Sequence, residues 1–384
     1  MEQLKKRILV AAQEAGGANL LAPVIRELSH RQGTEAWVIA CGNASRIFSD
    51  QGIVHHCVDN LQIEESSLRG WVGELLDQVC PDVMLLATAW GQSLEKILLK
   101  AARGRQIPSL SIVDNWSYFK ERFTDPQTGQ LCLPAQVGVL DEWAHRQAMQ
   151  EGIPAESLVV TGHPHLEALA DQLKAGHLQR EAHRLRRQWL GLGSGPEGSR
   201  VVLFASEAFS RFAGPETPYY RGYTEVEVLE GLVEVVSQLE QAKGLQVKIL
   251  VKLHPRESAD SYRMGPLAHR RNVPILHDES PWACLLASDA VLGMSSMLLV
   301  EAALAGIPSI SFQPGAQQSH PFLGCRSGWV QPAASASELR RLLEESLLGP
   351  PQERGVTLKR VYENSTSRVV KILLELAQGA EVPR

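Results

Sequence analysis

Short apolar runs rich in β-branched residues alternate along the chain with longer stretches in which apolar positions recur every three or four residues. Strand-length runs alternating with helical periodicity predict parallel α/β sheets. In the first half, strands are predicted over Arg7–Ala12, Glu35–Cys41, Val54–Val58, Val83–Ala87, Ser109–Val113, Val137–Leu140 and Leu158–Thr161. Helices are predicted near Ala18–Arg31, Ala44–Gln51, Ser67–Gln78, Ser93–Arg103 and Glu142–Glu151. Val83–Ala87 and Ser109–Val113 are nearly all apolar, as strands covered on both faces should be.

Leu166–Leu192 reads as one or two helices rich in Arg, Gln and Leu, and the Gly-rich stretch GLGSGPEGSR then breaks the pattern. The second half predicts strands Val201–Ala205, Val247–Leu253, Val273–Ile275, Asp289–Leu292, Ser309–Phe312 and Gly328–Val330. Its helices fall at Val226–Ala242, Pro281–Ala287, Met297–Ala305, Ala336–Leu347 and Thr357–Ala377. The expected fold class is α/β: two Rossmann-like, doubly wound parallel-sheet domains facing across a cleft. The expected division is an N-terminal domain over 1–175 and a linker helix and hinge over 176–200. A C-terminal domain follows over 201–356, and then a closing helix over 357–384, free to pack back on the first domain. In such sheets ligands sit beyond the carboxyl ends of the strands, so the cleft is the default site.

A length of 384 residues suits two domains, and 44% hydrophobic content supports two cores. With 38 basic against 43 acidic residues, net charge −5 and a pI of 6.2, nothing suggests nucleic-acid binding. Small basic clusters at Lys5, Lys6 and Arg7, and at Arg184, Arg186 and Arg187, leave a peripheral membrane contact open. The six cysteines, Cys41, Cys57, Cys80, Cys132, Cys284 and Cys325, have no metal-ligand spacing and read as reduced thiols, several in apolar surroundings such as that of Cys80. No metal site and no cofactor are expected. No signal peptide and no apolar run long enough to span a bilayer is found, so a soluble cytoplasmic protein is expected.

Four segments stand where a strand gives way to a helix or loop. In AAQEAGGANLL, Gly16 and Gly17 suggest a tight turn before a helix starting near Ala18, where a ligand could approach the backbone, with Glu14 and Asn19 as polar neighbours. In SIVDNWSYFKERF, Asp114 ends a buried strand and could act as a general base, while Trp116, Tyr118 and Phe119 in a loop suggest a binding surface. In VKILVKLHPRES, Pro255 stops the strand and presents His254, with Lys252 on the same side, to an anion. In VLGMSSMLLVEAALAGIP, Ser295 and Ser296 open a helix and suit a phosphate, though Ser-Ser is also a common N-cap pair. Glu301, further along the same helix, could accept from ribose hydroxyls.

His254-Pro255 followed by Ser295-Ser296, Glu-Ala-Ala and Gly-Ile-Pro resembles the C-terminal half of GT-B fold glycosyltransferases. The likeness is greatest to bacterial sialyltransferases and the CDP-glycerol glycerophosphotransferase group. VVTGHPHLEAL resembles a segment of UDP-GlcNAc 2-epimerases, AQEAGGANLL is similar to a loop of lipid A disaccharide synthase, and FASEAFSRF resembles a donor-side loop that brings in Ser206. Bacterial sialyltransferases carry an acidic pair followed by Gly where this chain has Val113-Asp114-Asn115-Trp116. The glycerophosphotransferases carry a His-Gly that is missing here.

The resemblance implies a metal-independent transfer of sugar from a CMP-, CDP- or UDP-linked donor to a glycan or small hydroxyl acceptor, in surface glycan or polysaccharide synthesis. It implies His254, Ser295, Ser296, Lys252 and Ser206 on the donor phosphate and Glu301 on the ribose. Asp114 and His254 are the implied catalytic pair, with Glu14, Gly16, Gly17, Asn19, Trp116 and Tyr118 on the acceptor side. The alternatives are a UDP-GlcNAc 2-epimerase-like enzyme, a nucleotide-sugar hydrolase, or a non-catalytic nucleotide-sugar-binding protein of the same fold.

Overall fold

A computed structural model of the chain describes residues 5–58, 65–173, 176–191, 199–208, 210, 214–217, 220–263, 273–276, 278–316, 322–349 and 362–379. It divides into two compact units, Met1–Ala168 with Val361–Arg384, and Leu169–Arg360. Each unit is built around one parallel sheet.

The first unit holds a 7-stranded sheet of β1 (Lys6–Ala12), β2 (Thr34–Ala40), β3 (His56–Cys57), β4 (Val83–Leu86), β5 (Ser109–Ile112), β6 (Gln136–Val139) and β7 (Leu158–Val160), in the order β3-β2-β1-β4-β5-β6-β7. Every pairing is parallel, with β1 in register from Lys6 opposite Thr34 to Ala12 opposite Ala40. Ile8, Leu9, Val10, Val83, Met84, Leu85 and Leu86 are completely buried, which is why those runs read as unbroken apolar sequence. The strand order reverses between β1 and β4, so loops following these two strands diverge and leave a crevice at their carboxyl ends.

The second unit holds a 6-stranded sheet of β8 (Arg200–Ala205), β9 (Val247–Lys252), β10 (Ile275–Leu276), β11 (Ala290–Gly293), β12 (Ser309–Phe312) and β13 (Gln331–Ala333), in the order β10-β9-β8-β11-β12-β13. Its reversal lies between β8 and β11. The helix Glu225–Lys243 shows how local sequence sets these elements. Thr224 and Glu227 form a reciprocal capping box at its start, and Gly244, at φ 66°, closes its end. Its apolar face, Val228, Leu229, Leu232, Val235, Val236 and Leu239, is buried in a core shared with Phe204, Val251, Leu292 and Phe312.

Several expected boundaries move. The first helix runs Ala15–His30, so Gly16 and Gly17 are helical residues of its first turn and make no separate turn. The helix Gly176–Leu190, expected as a linker, belongs to the second unit, where Arg186 donates to the Ala287 carbonyl at 2.8 Å and pairs with Asp289 at 2.9 Å. Most of the Gly-rich hinge, 192–198, lies outside the described residues, as does the start of the helix expected from Thr357. The described closing helix is Ser365–Ala377 in the first unit, where Ser365 Oγ accepts from the His163 N–H at 3.0 Å and Glu167 accepts from Thr366. The last strand lies at Gln331–Ala333, just beyond the expected Gly328–Val330, because 323–326 form a short helix that the turn to Val330 follows.

Two of the expected basic patches also contribute internal clamps: Lys6 reaches the Ala377 carbonyl at 3.0 Å, and Arg186 is held as above. Cys80 is exposed at the end of the helix Glu65–Val79 and does not sit in apolar surroundings; Cys41, Cys132 and Cys284 are the buried thiols. Among the described residues no helix is long and apolar enough to cross a membrane.

Candidate functional site

At the reversal point of the second sheet, three neighbouring strands, β9, β8 and β11, deliver polar residues from their carboxyl ends. Successive strands lie about 4.8 Å apart, so the chains leaving β9 and β11 stand roughly 10 Å apart on either side of β8. From β9 comes His254. Its Nδ1 accepts the Arg256 N–H at 3.2 Å, which leaves the ring proton on Nε2. Burial, aided by the Arg256 charge, lowers its pKa to about 4, so the ring is a neutral Nε2–H donor near pH 7. Its backbone N–H is held by Glu257 at 2.8 Å.

From β8 come Ser206 and Glu207. Ser206 Oγ donates to Glu257 Oε1 at 2.8 Å and also contacts the Tyr262 hydroxyl, which itself donates to Glu257 Oε1 at 2.6 Å. Burial pushes the Glu257 carboxyl up, while its bonds from Tyr262, Ser206 and His254 pull it back down. From β11 come Ser295 and Ser296. Ser295 bonds Glu207 through both its N–H and its hydroxyl, and Arg221 Nη1 donates to the same hydroxyl at 3.2 Å. Ser296 is the N-cap of the helix Met297–Leu304, accepting from Leu298 N–H at 3.2 Å. Glu257 thus ties His254 to Ser206, Glu207 holds Ser295, and the chain from Ser206 to Glu207 sets the two hydrogen-bonded groups side by side.

Two other expected residues sit at its margin. Lys252 ends β9 largely buried, and its charge reaches the Cys284 thiol, which burial pushes up to about 12. Glu301 is buried along the helix Met297–Leu304 and accepts from Trp282 Nε1 at 3.1 Å.

In the first unit, the reversal between β1 and β4 gathers a second group. Asp114, just beyond β5, accepts from Arg122 Nη1 at 2.7 Å, and the same guanidinium donates to Thr88 Oγ1 at 3.0 Å. Gly16 is placed by this contact: a methyl group on it would stand 1.9 Å from Asp114 Oδ2. One on Gly17 would stand 2.5 Å from the Ala87 side chain. The glycines therefore serve close packing within a helix. Glu14 is that helix's N-cap. Glu95 is buried 5 residues after Trp90, with Oε1 accepting the Gln13 N–H at 2.8 Å. Burial first, and the Glu14 charge last among its causes, raise its carboxyl to about 7.

The aromatic loop after Asp114 differs most from expectation. Trp116 is 1% exposed and donates from Nε1 to Asp141 Oδ2 at 2.6 Å, and Phe119 is fully buried. Trp116 is a core residue whose indole N–H is already bound to Asp141, so no ligand stacks on it. Tyr118 remains partly exposed in a left-handed conformation, φ 59°, with its ring edge-on to Trp90 at 4.7 Å. Asn19 accepts from Gln51 Nε2 at 3.0 Å and so faces the neighbouring helix Gly42–Asp50. Among the described residues no group of His, Cys, Asp or Glu is arranged to hold a metal ion.

No protein-family model matches the chain, and no curated protein is significantly similar to it in sequence. Solved structures do match. UDP-GlcNAc 2-epimerase from Neisseria meningitidis, a structure with UDP-GlcNAc bound, is 16% identical with a TM-score of 0.71, over 96% of this chain and 100% of that one. A putative UDP-N-acetylglucosamine 2-epimerase from Listeria monocytogenes is 15% identical with a TM-score of 0.70, over 99% of this chain and 98% of that one. A glycosyltransferase from Rickettsia africae is 13% identical with a TM-score of 0.57, over 97% and 96%. The fold is GT-B-like.

Within this GT-B-like chain, the residues that sequence reasoning missed are those that connect the expected ones. Glu257 was legible as the acid three residues after His254, the spacing at which a side chain can turn back onto a backbone N–H. Glu207 lay inside the FASEAF segment beside Ser206. Arg221 and Tyr262 carry no local signal, since only the sheet order brings them to the network.

Proposed function

We propose that the chain is an enzyme acting on a nucleotide-activated sugar, with the nucleotide's phosphates held at the carboxyl ends of β8, β9 and β11. The observation that carries this is the gathering of His254, Ser206, Ser295 and Arg221 at the one place in the second sheet where the strand order reverses. A neutral imidazole N–H, a guanidinium and the head of a helix together offer what a diphosphate needs: directed donors and positive potential. Donors of this kind also stabilise charge that grows on a departing phosphate, so the same site serves binding and bond cleavage. Glu301 supplies an acceptor for ribose hydroxyls.

Of the chemistries open to such a site, a one-substrate reaction on UDP-GlcNAc of the 2-epimerase kind is favoured. The support is the likeness in fold to UDP-GlcNAc 2-epimerases over the whole chain. Epimerisation removes a proton from one carbon and returns one to its other face, so it needs an acid–base pair and no acceptor. Asp114, held by Arg122, is proposed as one member. Transfer to a hydroxyl acceptor is the second reading, supported by the likeness to the Rickettsia africae glycosyltransferase.

Incubation with UDP-GlcNAc, followed by proton NMR, separates the two. The first reading expects a second UDP-N-acetylhexosamine to accumulate without acceptor; the second expects free UDP only when acceptor is added. Asp114→Asn is expected to lower turnover at least a hundredfold while UDP still binds. Unchanged turnover removes Asp114 from the chemistry.

A further inference from the structure

The turn from β11 to the helix Met297–Leu304 presents donors that suit an anion, and a carboxylate of the chain itself takes them. Glu207 Oε1 accepts from the backbone N–H groups of Met294, at 3.1 Å, and Ser295, at 2.6 Å; Oε2 accepts from the Ser295 hydroxyl at 2.9 Å. The Arg221 guanidinium donates to the same hydroxyl at 3.2 Å, and its charge acts on Glu207. Two backbone donors, a hydroxyl and a nearby guanidinium form the set that binds two oxygens of a phosphate, and a carboxylate offers two oxygens in a similar fork.

We infer that Glu207 is a displaceable internal ligand of the nucleotide-phosphate seat, so that the ease with which it leaves sets how tightly the chain takes a nucleoside diphosphate. This rests on the nucleotide-sugar function proposed above. Two anions cannot share three donors, because each would leave the other unpaired in a poorly solvated place. A phosphate that takes Ser295 must therefore turn Glu207 out. The side chain is suited to leaving: Glu207 lies just beyond the end of β8 and bonds the seat through its terminal oxygens. Ser206, its neighbour, is tied separately to Glu257 and Tyr262, so displacement of Glu207 leaves the rest of the network in place. An internal competitor weakens apparent affinity by the fraction of time the seat is closed.

The test uses the full chain and UDP. By isothermal titration at pH 7.5, Glu207→Gln and Glu207→Ala are expected to bind UDP at least tenfold more tightly than the wild type. In the unaltered protein, carbodiimide-driven amine labelling of Glu207, mapped by mass spectrometry, is expected to rise when UDP is added. This second readout stands even where a variant fails to fold. UDP binding with unchanged or weaker affinity in the variants, or with labelling of Glu207 unchanged or reduced, overturns the inference and leaves the nucleotide site standing. No UDP binding by any form at millimolar concentration defeats the nucleotide reading itself, and the inference falls with it. Formate then separates the two failures: a rise in the melting temperature of Glu207→Ala alone marks an anion seat that takes no nucleotide.

Discussion

Glu95 shows most sharply how one residue's surroundings decide its chemistry. It stands in the first turn of the helix Leu94–Gly104, where an acid is common on a surface, yet it is 4% exposed and tied to the Gln13 N–H. Removing a carboxylate from water favours its neutral form, which is why its carboxyl is raised to about 7. Below about pH 4.5 both folded and unfolded chains hold this proton, and the stabilising difference is fully present. As pH rises toward 7 the unfolded chain loses the proton while the folded one still holds it, so stability falls by roughly 3 kcal/mol in all. Glu95→Gln removes that slope. In urea unfolding from pH 4.5 to 7.5, the stability of the variant relative to wild type is expected to rise steadily; a constant difference across the range contradicts the assignment. Trp116 carries the opposite lesson. Its neighbours Tyr118 and Phe119 made an aromatic surface loop the natural reading, because the acceptor of its indole N–H, Asp141, lies 25 residues away and gives no local sign.

At the level of elements, the sequence was most informative where burial on both faces leaves an unbroken apolar run, as in β4, and where caps mark ends, as at Thr224 and Gly244. It was least informative at the first helix, whose N-cap Glu14 makes no side-chain capping bond and so leaves no signature of the start. The two glycines there suggested a turn, whereas their function is contact: Gly16 makes room for Asp114, and Gly17 for Ala87. A methyl group at Gly16 should gain about 1 kcal/mol of helix propensity and lose more to overlap with Asp114 Oδ2. Gly16→Ala is expected to lower stability by about 1–3 kcal/mol in the wild type and by almost nothing, or to raise it, in an Asp114→Ala background. Equal costs in both backgrounds, measured by chemical unfolding, show that the helix and Asp114 do not press on each other.

For the whole molecule, the alternation of strand and helix carried the fold class, because a right-handed crossover between parallel strands leaves few other ways to bury both kinds of element. The connections within the candidate site were not legible in the same way. His254 and the serines could be named from their strand ends, but the two glutamates that hold them, Glu257 on His254 and Ser206 and Glu207 on Ser295, act through contacts set by the order β9-β8-β11. The return of the closing helix to the first unit likewise depends on Ser365 and Thr366 meeting His163 and Glu167, about two hundred positions away. Titration calorimetry with UDP-GlcNAc on the full chain, with and without His254→Ala, bears most directly on the proposed function. Saturable one-site binding, weakened at least tenfold by the substitution, is the expected result; no binding at millimolar ligand, or equal affinity in both proteins, contradicts it.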